Sequence, residues 1–349
     1  MSLLLKQPNI NIAVTESSDS VRFLSSFEVY LTKLLSLFDV QTKDLASHVL
    51  LSGGKRIRPF LVHACAVDKL KATKEDLLKA ASVLEIVHVA TLVHDDILDN
   101  AEMRRDKSTL HSVFGRQTSI LLGDALFSFA LELATEFSTT KVCNIVSRAT
   151  RRTCTGEINQ NFNKGNYDLS AEQYFSIIQD KTGELFNASC SVGAYLAGAD
   201  DELITLVGNF GTSLGLNYQI YDDLIDTFGS ESSFGKTLGT DFESGKLTLP
   251  IIRLLESLSP EKKNSLKSDL SKNENTAQFH RYLADLFIEY NIHHVCFSEL
   301  ETRLLNSKSI ALSIPDSNVS SKLVAFLSSF DSKLTKLSLN LVPNFLAIP

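Results

Sequence analysis

Apolar residues return every three to four positions over most of this chain, and they almost never alternate. Val21–Phe38 carries Phe23, Leu24, Phe27, Val29, Leu31, Leu34, Leu35 and Phe38 near that spacing, which predicts an amphipathic helix. The same period predicts helices over Asp44–Leu51, from about Pro59 to Leu70 with the proline in the first turn, and over Thr118–Phe137, Lys141–Phe162 and Ser170–Leu196. Lys74–Asp99 is apolar almost all round and is expected to be a central buried helix. Asp200–Asp226 reads as a further long helix opened by an aspartate cap. Near the end, Asn318–Leu341 places Val319, Leu323, Phe326, Leu327, Phe330, Leu334 and Leu337 on one side. Two stretches break the rhythm. Thr227–Gly245 is rich in Gly and Ser, a loop able to fold over a phosphate group; Ser257–Ala277 is charged and serine-rich, expected as a solvated connector. No linker is poor enough in hydrophobics to divide the chain, and no repeat has a fixed period. The expectation is one all-α domain over 1–349, long helices around a cavity, with 1–20 as an N-terminal extension and 227–245 as an active-site loop.

Composition narrows the function. The chain has 349 residues, 44% of them hydrophobic, enough for a large core. A net charge of −7 without a basic block argues against nucleic acid as a partner. Five scattered cysteines without a CxxC pair point to free thiols in a reducing compartment, with neither a disulfide frame nor a zinc site. The Leu3-Leu4-Leu5 run lacks a basic region before it, and no stretch approaches 18 uncharged apolar residues. A cytoplasmic protein without a transmembrane segment is expected.

The chemistry concentrates in Asp95-Asp96-Ile97-Leu98-Asp99 and its near copy Asp222-Asp223-Leu224-Ile225-Asp226. With 22 Asp in the chain, a DDxxD pattern arises by chance only roughly 0.09 times. On a helix, i and i+4 share a face one turn apart, so Asp95 and Asp99 reach a common ligand, as do Asp222 and Asp226. Such a face repels itself unless cations neutralise it, and hard oxygens with room for substrate oxygens suit Mg²⁺ on a diphosphate. Either cluster alone is often just a solvated helix end; two after long apolar runs are not. Gly53-Gly54-Lys55-Arg56-Ile57-Arg58-Pro59 adds a close-approach loop with three cations, and Arg104-Arg105 follows the first Asp cluster by about a turn. Lys181-Thr182, Lys236 and Lys246 supply further positive charge, the last two flanking Asp241 in a glycine-rich segment that is not a Walker A loop. His94 reads as a satisfied core histidine; His88, two turns before Asp95, reads equally as core or as a donor to a second phosphate. No serine triad or Cys/His pair stands out.

With those motifs laid out, the chain resembles the trans-isoprenyl diphosphate synthases, the polyprenyl synthetase family. The likeness runs from about Ser52 to Pro250: GGKRIRP at 53–59, HVATLVHDDILD at 88–99, RR at 104–105, LGDALF at 122–127, GEINQ at 156–160, KT at 181–182, QIYDDLID at 219–226 and GKTLGTDFESGKLTLP at 235–250. The resemblance implies an antiparallel α-helix bundle around a deep cavity, in a homodimer. It implies that Asp95, Asp96, Asp99, Asp222, Asp223 and Asp226 hold Mg²⁺ ions, roughly three per site, on an allylic diphosphate. Arg104, Lys181, Lys236 and Lys246 would grip that diphosphate; Lys55, Arg58, His88 and Arg105 would hold isopentenyl diphosphate; Lys181, Thr182 and Gln219 would lie at the reacting carbons. The implied reaction breaks a C–O bond to leave an allylic carbocation, which the isopentenyl double bond attacks in a site that excludes water. The chain departs from the family where Asp106 and Ser108 replace Gly and Pro after the arginine pair, and where its tail, Asn344 to Pro349, lacks a basic end.

Product length turns on the residues before the first cluster. Thr91 and Ala90, one turn deeper than Asp95, are small where short-chain members carry a bulky aromatic, and Val87, Ile86 and Val83 follow. A product of roughly C30 to C45, octaprenyl-like and released near a membrane, is the expectation, with Phe162 able to set a nearer floor. The rivals are a geranylgeranyl or farnesyl diphosphate synthase, a class I terpene cyclase and a non-catalytic synthase subunit; the second complete Asp cluster disfavours the last two.

Overall fold

A computed structural model describes residues 18–66, 73–105, 107–229, 239–271 and 276–339. The described chain is almost wholly helical. The helices are α1 (Ser18–Leu34), α2 (Val40–Leu50), α3 (Ile57–Ala64), α4 (Lys74–Leu98), α5 (Leu110–Phe114), α6 (Arg116–Thr135), α7 (Lys141–Phe162), α8 (Ala171–Ile178), α9 (Glu184–Leu196) and α10 (Asp201–Phe228). They continue with α11 (Thr240–Glu243), α12 (Leu249–Ser257), α13 (Pro260–Ser271), α14 (Ala277–Glu289), α15 (Ile292–Leu312) and α16 (Ser317–Leu339). A two-residue hairpin, β1 (Met103–Arg104) against β2 (Lys107–Ser108), pairs Met103 with Ser108 and Arg104 with Lys107.

Local chemistry accounts for the boundaries. Thr73 and Asp76 form a reciprocal cap that opens α4, and Asp99 closes it as C-cap. Ser170 and Gln173 cap α8 in the same way. The Asp200 carboxylate accepts from Leu203 N at 2.8 Å, the expected cap of α10. Three expectations need correction. Ser170–Leu196 is not one helix, because a π-turn over Gln179–Gly183 separates α8 from α9. Ser257–Ala277 is not a connector alone, since α13 lies within it and buries Leu266 and Leu270. The helix expected from Pro59 starts two residues earlier and ends at Ala64. The N-terminal extension through residue 17, the middle of the glycine loop (230–238) and the tail from 340 lie outside the described residues.

The chain forms two compact units. The first comprises residues 1–151, 185–211 and 310–326. Its centre is α4, packed on α1, α3 and α6, with Val83, Leu84, Ile86 and Val87 all but inaccessible. Gly193 of α9 lets the α3 backbone close in: a Cβ there would lie 3.0 Å from the Val62 carbonyl carbon. The second comprises 152–184, 212–309 and 327–349. Its core gathers Leu224 and Phe228 of α10, Leu254 of α12, and Leu283 and Phe287 of α14, with Phe228 and Phe287 edge to face at 5.4 Å. All five cysteines are free thiols. Two helices, α4 and α6, are long and apolar enough to cross a membrane by length and composition; the α4 window is 72% buried inside the protein, the α6 window 39%.

Candidate active site

The first Asp cluster ends α4. The face carrying Asp95 is the accessible one: His88, Thr91, Leu92 and Asp95 are half-buried and Asp99 exposed, whereas Ala90, Val93 and Asp96 are buried. Asp96 points another way and accepts from Arg104 Nε at 2.6 Å. Burial lifts the Asp96 carboxyl above its usual range even though the Arg104 guanidinium pulls it down. The three aspartates therefore divide, with Asp95 and Asp99 outward and Asp96 anchoring Arg104. Of the three aspartates expected at a metal, Asp95 and Asp99 lie on the accessible face and Asp96 is paired with Arg104.

The basic residues gather in the same unit. Arg105 sits at φ 53° in the hairpin turn and donates to the Gly53 carbonyl. Gly54 has φ +143°, and a Cβ on it would lie 2.6 Å from Arg105 Nη1. The glycine pair thus lets a guanidinium rest on the loop backbone beside Lys55. Arg58 lies over the Phe186 ring, 4.8 Å from its centroid. His88 is held well below its ordinary pKa, first by desolvation and then by Arg58, Arg105 and Arg104, so it is a neutral imidazole that offers one N–H. Of the group selected from sequence, Arg58 and Arg105 both act on His88, and Arg105 rests on the loop that carries Lys55. Gly54→Ala is expected to push Arg105 off the loop and raise the KM for isopentenyl diphosphate about tenfold, with the KM for the allylic diphosphate nearly unchanged. Initial rates with each substrate varied in turn check this.

The second cluster lies on α10, and here too the aspartates divide. Asp222 is exposed, while Asp223 and Asp226 are buried. Asp223 accepts from Tyr174 OH at 2.6 Å and from Gln219 Nε2 at 2.8 Å, and Gln219 Oε1 accepts from Thr182 Oγ1 at 2.8 Å. A single chain of hydrogen bonds thus runs Thr182–Gln219–Asp223–Tyr174. Burial and the nearby Asp241 push the Asp223 carboxyl up to about 8, against the two donors. Asp226 Oδ2 accepts from Asp241 N at 3.2 Å, and the Lys246 ammonium lies 3.4 Å from Asp241 Oδ1. Lys246 therefore joins the cluster through Asp241; Lys236 lies outside the described residues.

Lys181 and Thr182 sit in the π-turn, whose extra residue per turn re-aims side chains. The turn rests on α7, where Gly156 leaves no room: a Cβ there would lie 2.7 Å from Lys181 Cα and 2.9 Å from the Asp180 carbonyl carbon. Lys181 Nζ donates to Gln160 Oε1 at 2.7 Å and pairs with Glu157. Arg152 of α7 brackets the turn, with Nε 3.0 Å from Asp180 Oδ1 and 3.1 Å from Glu184 Oε1. Arg152, Glu157, Gln160 and Tyr174 were not assigned roles from sequence. The i, i+3 spacing of Glu157 and Gln160 on a helix was the available signal; Arg152 and Tyr174 gave none, since their partners lie 28 and 49 residues away.

No three carboxylate, histidine or thiol side chains converge into a metal cage among the described residues. Hard oxygens on accessible helix ends, with an incomplete shell, fit a divalent cation that completes its coordination on a substrate. An all-α scaffold with two Asp-terminated apolar helices, a basic glycine loop and a Lys-Thr π-turn defines an isoprenoid synthase fold that handles diphosphates. The polyprenyl synthetase family model matches residues 40–286, and the chain belongs to that family. It is 36% identical over 232 residues to a short chain isoprenyl diphosphate synthase of Methanocaldococcus jannaschii, covering 65% of this chain and 70% of the relative. It is 32% identical to the octaprenyl diphosphate synthase of Escherichia coli strain K12, over 67% of this chain and 72% of the relative. A solved polyprenyl synthase from Caulobacter crescentus CB15, complexed with calcium and isoprenyl diphosphate, is similar with a TM-score of 0.80 and 30% identity, covering 89% of this chain and 95% of that one. The chain is thus a prenyltransferase that elongates prenyl diphosphates.

Proposed function

We propose that this prenyltransferase condenses isopentenyl diphosphate with an allylic diphosphate to an all-trans product of roughly C30 to C45. The observation that carries the length is α4 itself: from Val83 to Asp95 it presents no Phe, Tyr or Trp, and the accessible residue one turn before Asp95 is the small Thr91. Support also comes from the octaprenyl relative. A geranylgeranyl-length product is the second reading, favoured because Val87 and Ala90 are 1% and 0% exposed, which leaves Thr91 as the accessible member of the three length-setting residues.

Asp95, Asp99 and Asp222 would hold Mg²⁺, which draws charge off the leaving diphosphate when bound; calcium in the Caulobacter structure supports a divalent ion there. Arg104, Lys181 and Lys246, paired here with Asp96, Glu157 and Asp241, would turn from those carboxylates to the leaving diphosphate and stabilise the charge that develops on it. Lys55, Arg58 and Arg105 hold the second diphosphate, with His88 as a neutral donor. Thr182 and Gln219, fixed by Asp223, orient the reacting carbons. The apolar surface of α5 and α6, with Phe114 42% and Leu121 68% exposed, supports a homodimer. A cytoplasmic location with product release at a membrane completes the reading.

The test is Mg²⁺-dependent incorporation of labelled isopentenyl diphosphate into butanol-extractable lipid, with chain-length chromatography. Thr91→Phe is expected to shorten the product by one or more C5 steps, whereas Ala90→Phe, at a position 0% exposed, is expected to overpack the helix contact and cost stability. An unchanged length in Thr91→Phe would mean the product runs in another direction.

A further inference from the structure

Arg56 is the buried cation of the 53–59 loop, between the exposed Lys55 and the half-buried Arg58. It is 3% exposed, at φ 48°, a left-handed backbone that non-glycine residues seldom adopt. Its guanidinium is fully engaged: Nη1 donates to Glu85 Oε1 at 2.8 Å, Nε to Glu28 Oε1 at 2.7 Å, and Nη2 to Glu28 Oε2 at 3.3 Å and to the Leu50 carbonyl at 2.9 Å. Three helices, α1, α2 and α4, are tied through it to the loop. Glu85 is itself buried in the middle of α4, three residues before His88 and ten before Asp95. Arg56 is the last of the four arginines that act on His88, behind Arg58, Arg105 and Arg104, and its guanidinium is occupied by two carboxylates.

We infer that Arg56, paired with Glu85 and Glu28, is a positioning residue that sets the spacing between the Lys55/Arg58 loop and His88, and so governs affinity for isopentenyl diphosphate. A loop tied only by its own backbone would drift on the scale of an ångström, and that scale is enough to lose productive geometry. The buried fork fixes the loop's height over α4 from below while its flanking cations stay accessible to a diphosphate. A lysine at 56 keeps the charge but not the planar fork that reaches two helices and a carbonyl at once. This inference rests on the assignment of Lys55, Arg58, His88 and Arg105 to isopentenyl diphosphate.

Three variants test it: Arg56→Lys, the charge-balanced double variant Arg56→Met/Glu85→Met, and Arg58→Ala. The double variant removes the fully buried pair, and Glu28, whose side chain is 21% exposed, keeps access to water when Arg56 is gone, so the variant is expected to fold with a melting temperature near that of the wild type. Arg56→Lys and the double variant are expected to raise the KM for isopentenyl diphosphate about tenfold or more, with the KM for the allylic diphosphate within about twofold and kcat at saturation within about threefold. A folded variant whose two KM values both stay within twofold, or rise together, overturns the inference. If neither variant folds, Arg56 is a stability residue and the inference is likewise overturned. Arg58→Ala separates the failures. If it leaves the KM for isopentenyl diphosphate unchanged, the underlying site assignment is wrong; if it raises that KM while the Arg56 variants do not, only the positioning role is lost.

Discussion

Gly156→Ala is expected to lower kcat/KM by about 10²-fold or more while the helical far-ultraviolet spectrum is retained. The methyl group would meet backbone on every side that matters, 2.7 Å from Lys181 Cα and 2.9 Å from the Asp180 carbonyl carbon, so no side-chain rotation can relieve it. Either α7 or the π-turn must shift until that separation approaches van der Waals contact. The residues that move are Lys181 and Thr182, and through Thr182 the chain to Gln219 and Asp223. Overpacking of this kind costs about 1–3 kcal/mol of stability, a few degrees of melting temperature in a chain of this size. The larger loss is in rate, because the groups at the reacting carbons are displaced together. Steady-state kinetics alongside a thermal melt decide the matter; wild-type kcat/KM would mean that the close approach of α7 and the π-turn has no part in catalysis.

Asp223→Asn is expected to raise the melting temperature of the metal-free protein at pH 8 to 9, with the gain fading toward pH 4. The folded-state carboxyl titrates at about 8, against 3.8 as its ordinary value, because burial and Asp241 oppose its ionisation. A raised folded-state pKa means that the contribution of this group is fully present below about pH 4 and is lost progressively as pH rises through about 8. The wild type therefore weakens over that window, and an amide, which does not titrate, does not. The gain should reach a few kcal/mol at the upper end, or several degrees. Activity should fall at the same time, since an amide NH2 replaces one of the two oxygens that face Gln219 and Tyr174. Melting curves in chelator across pH 4 to 9 provide the check, and a wild-type curve parallel to that of Asp223→Asn at every pH would contradict the assignment of the buried proton.

The helical elements and the local motifs on them were legible in the sequence. Short-range patterns record chemistry that a helix or loop performs within itself: the two DDxxD turns, the glycine-cation loop, the Asp200 cap and the α4 stripe all depend on residues no more than a few positions apart. Tyr174 with Asp223, Arg56 with Glu85 and Arg152 with Asp180 escaped because each joins residues 28 to 49 positions apart. The π-turn was missed as well, since its apolar period differs from that of an α-helix by a single residue.

By itself the sequence determined the helical class, the two aspartate clusters and the cation-rich glycine loop, because periodicity and charge are local properties that water and hydrogen bonding read directly. Only the tertiary structure decided which aspartate of each cluster faces outward and which is buried as an anchor. Helical geometry offers both orientations until packing against neighbouring helices desolvates one side chain and supplies it with a partner.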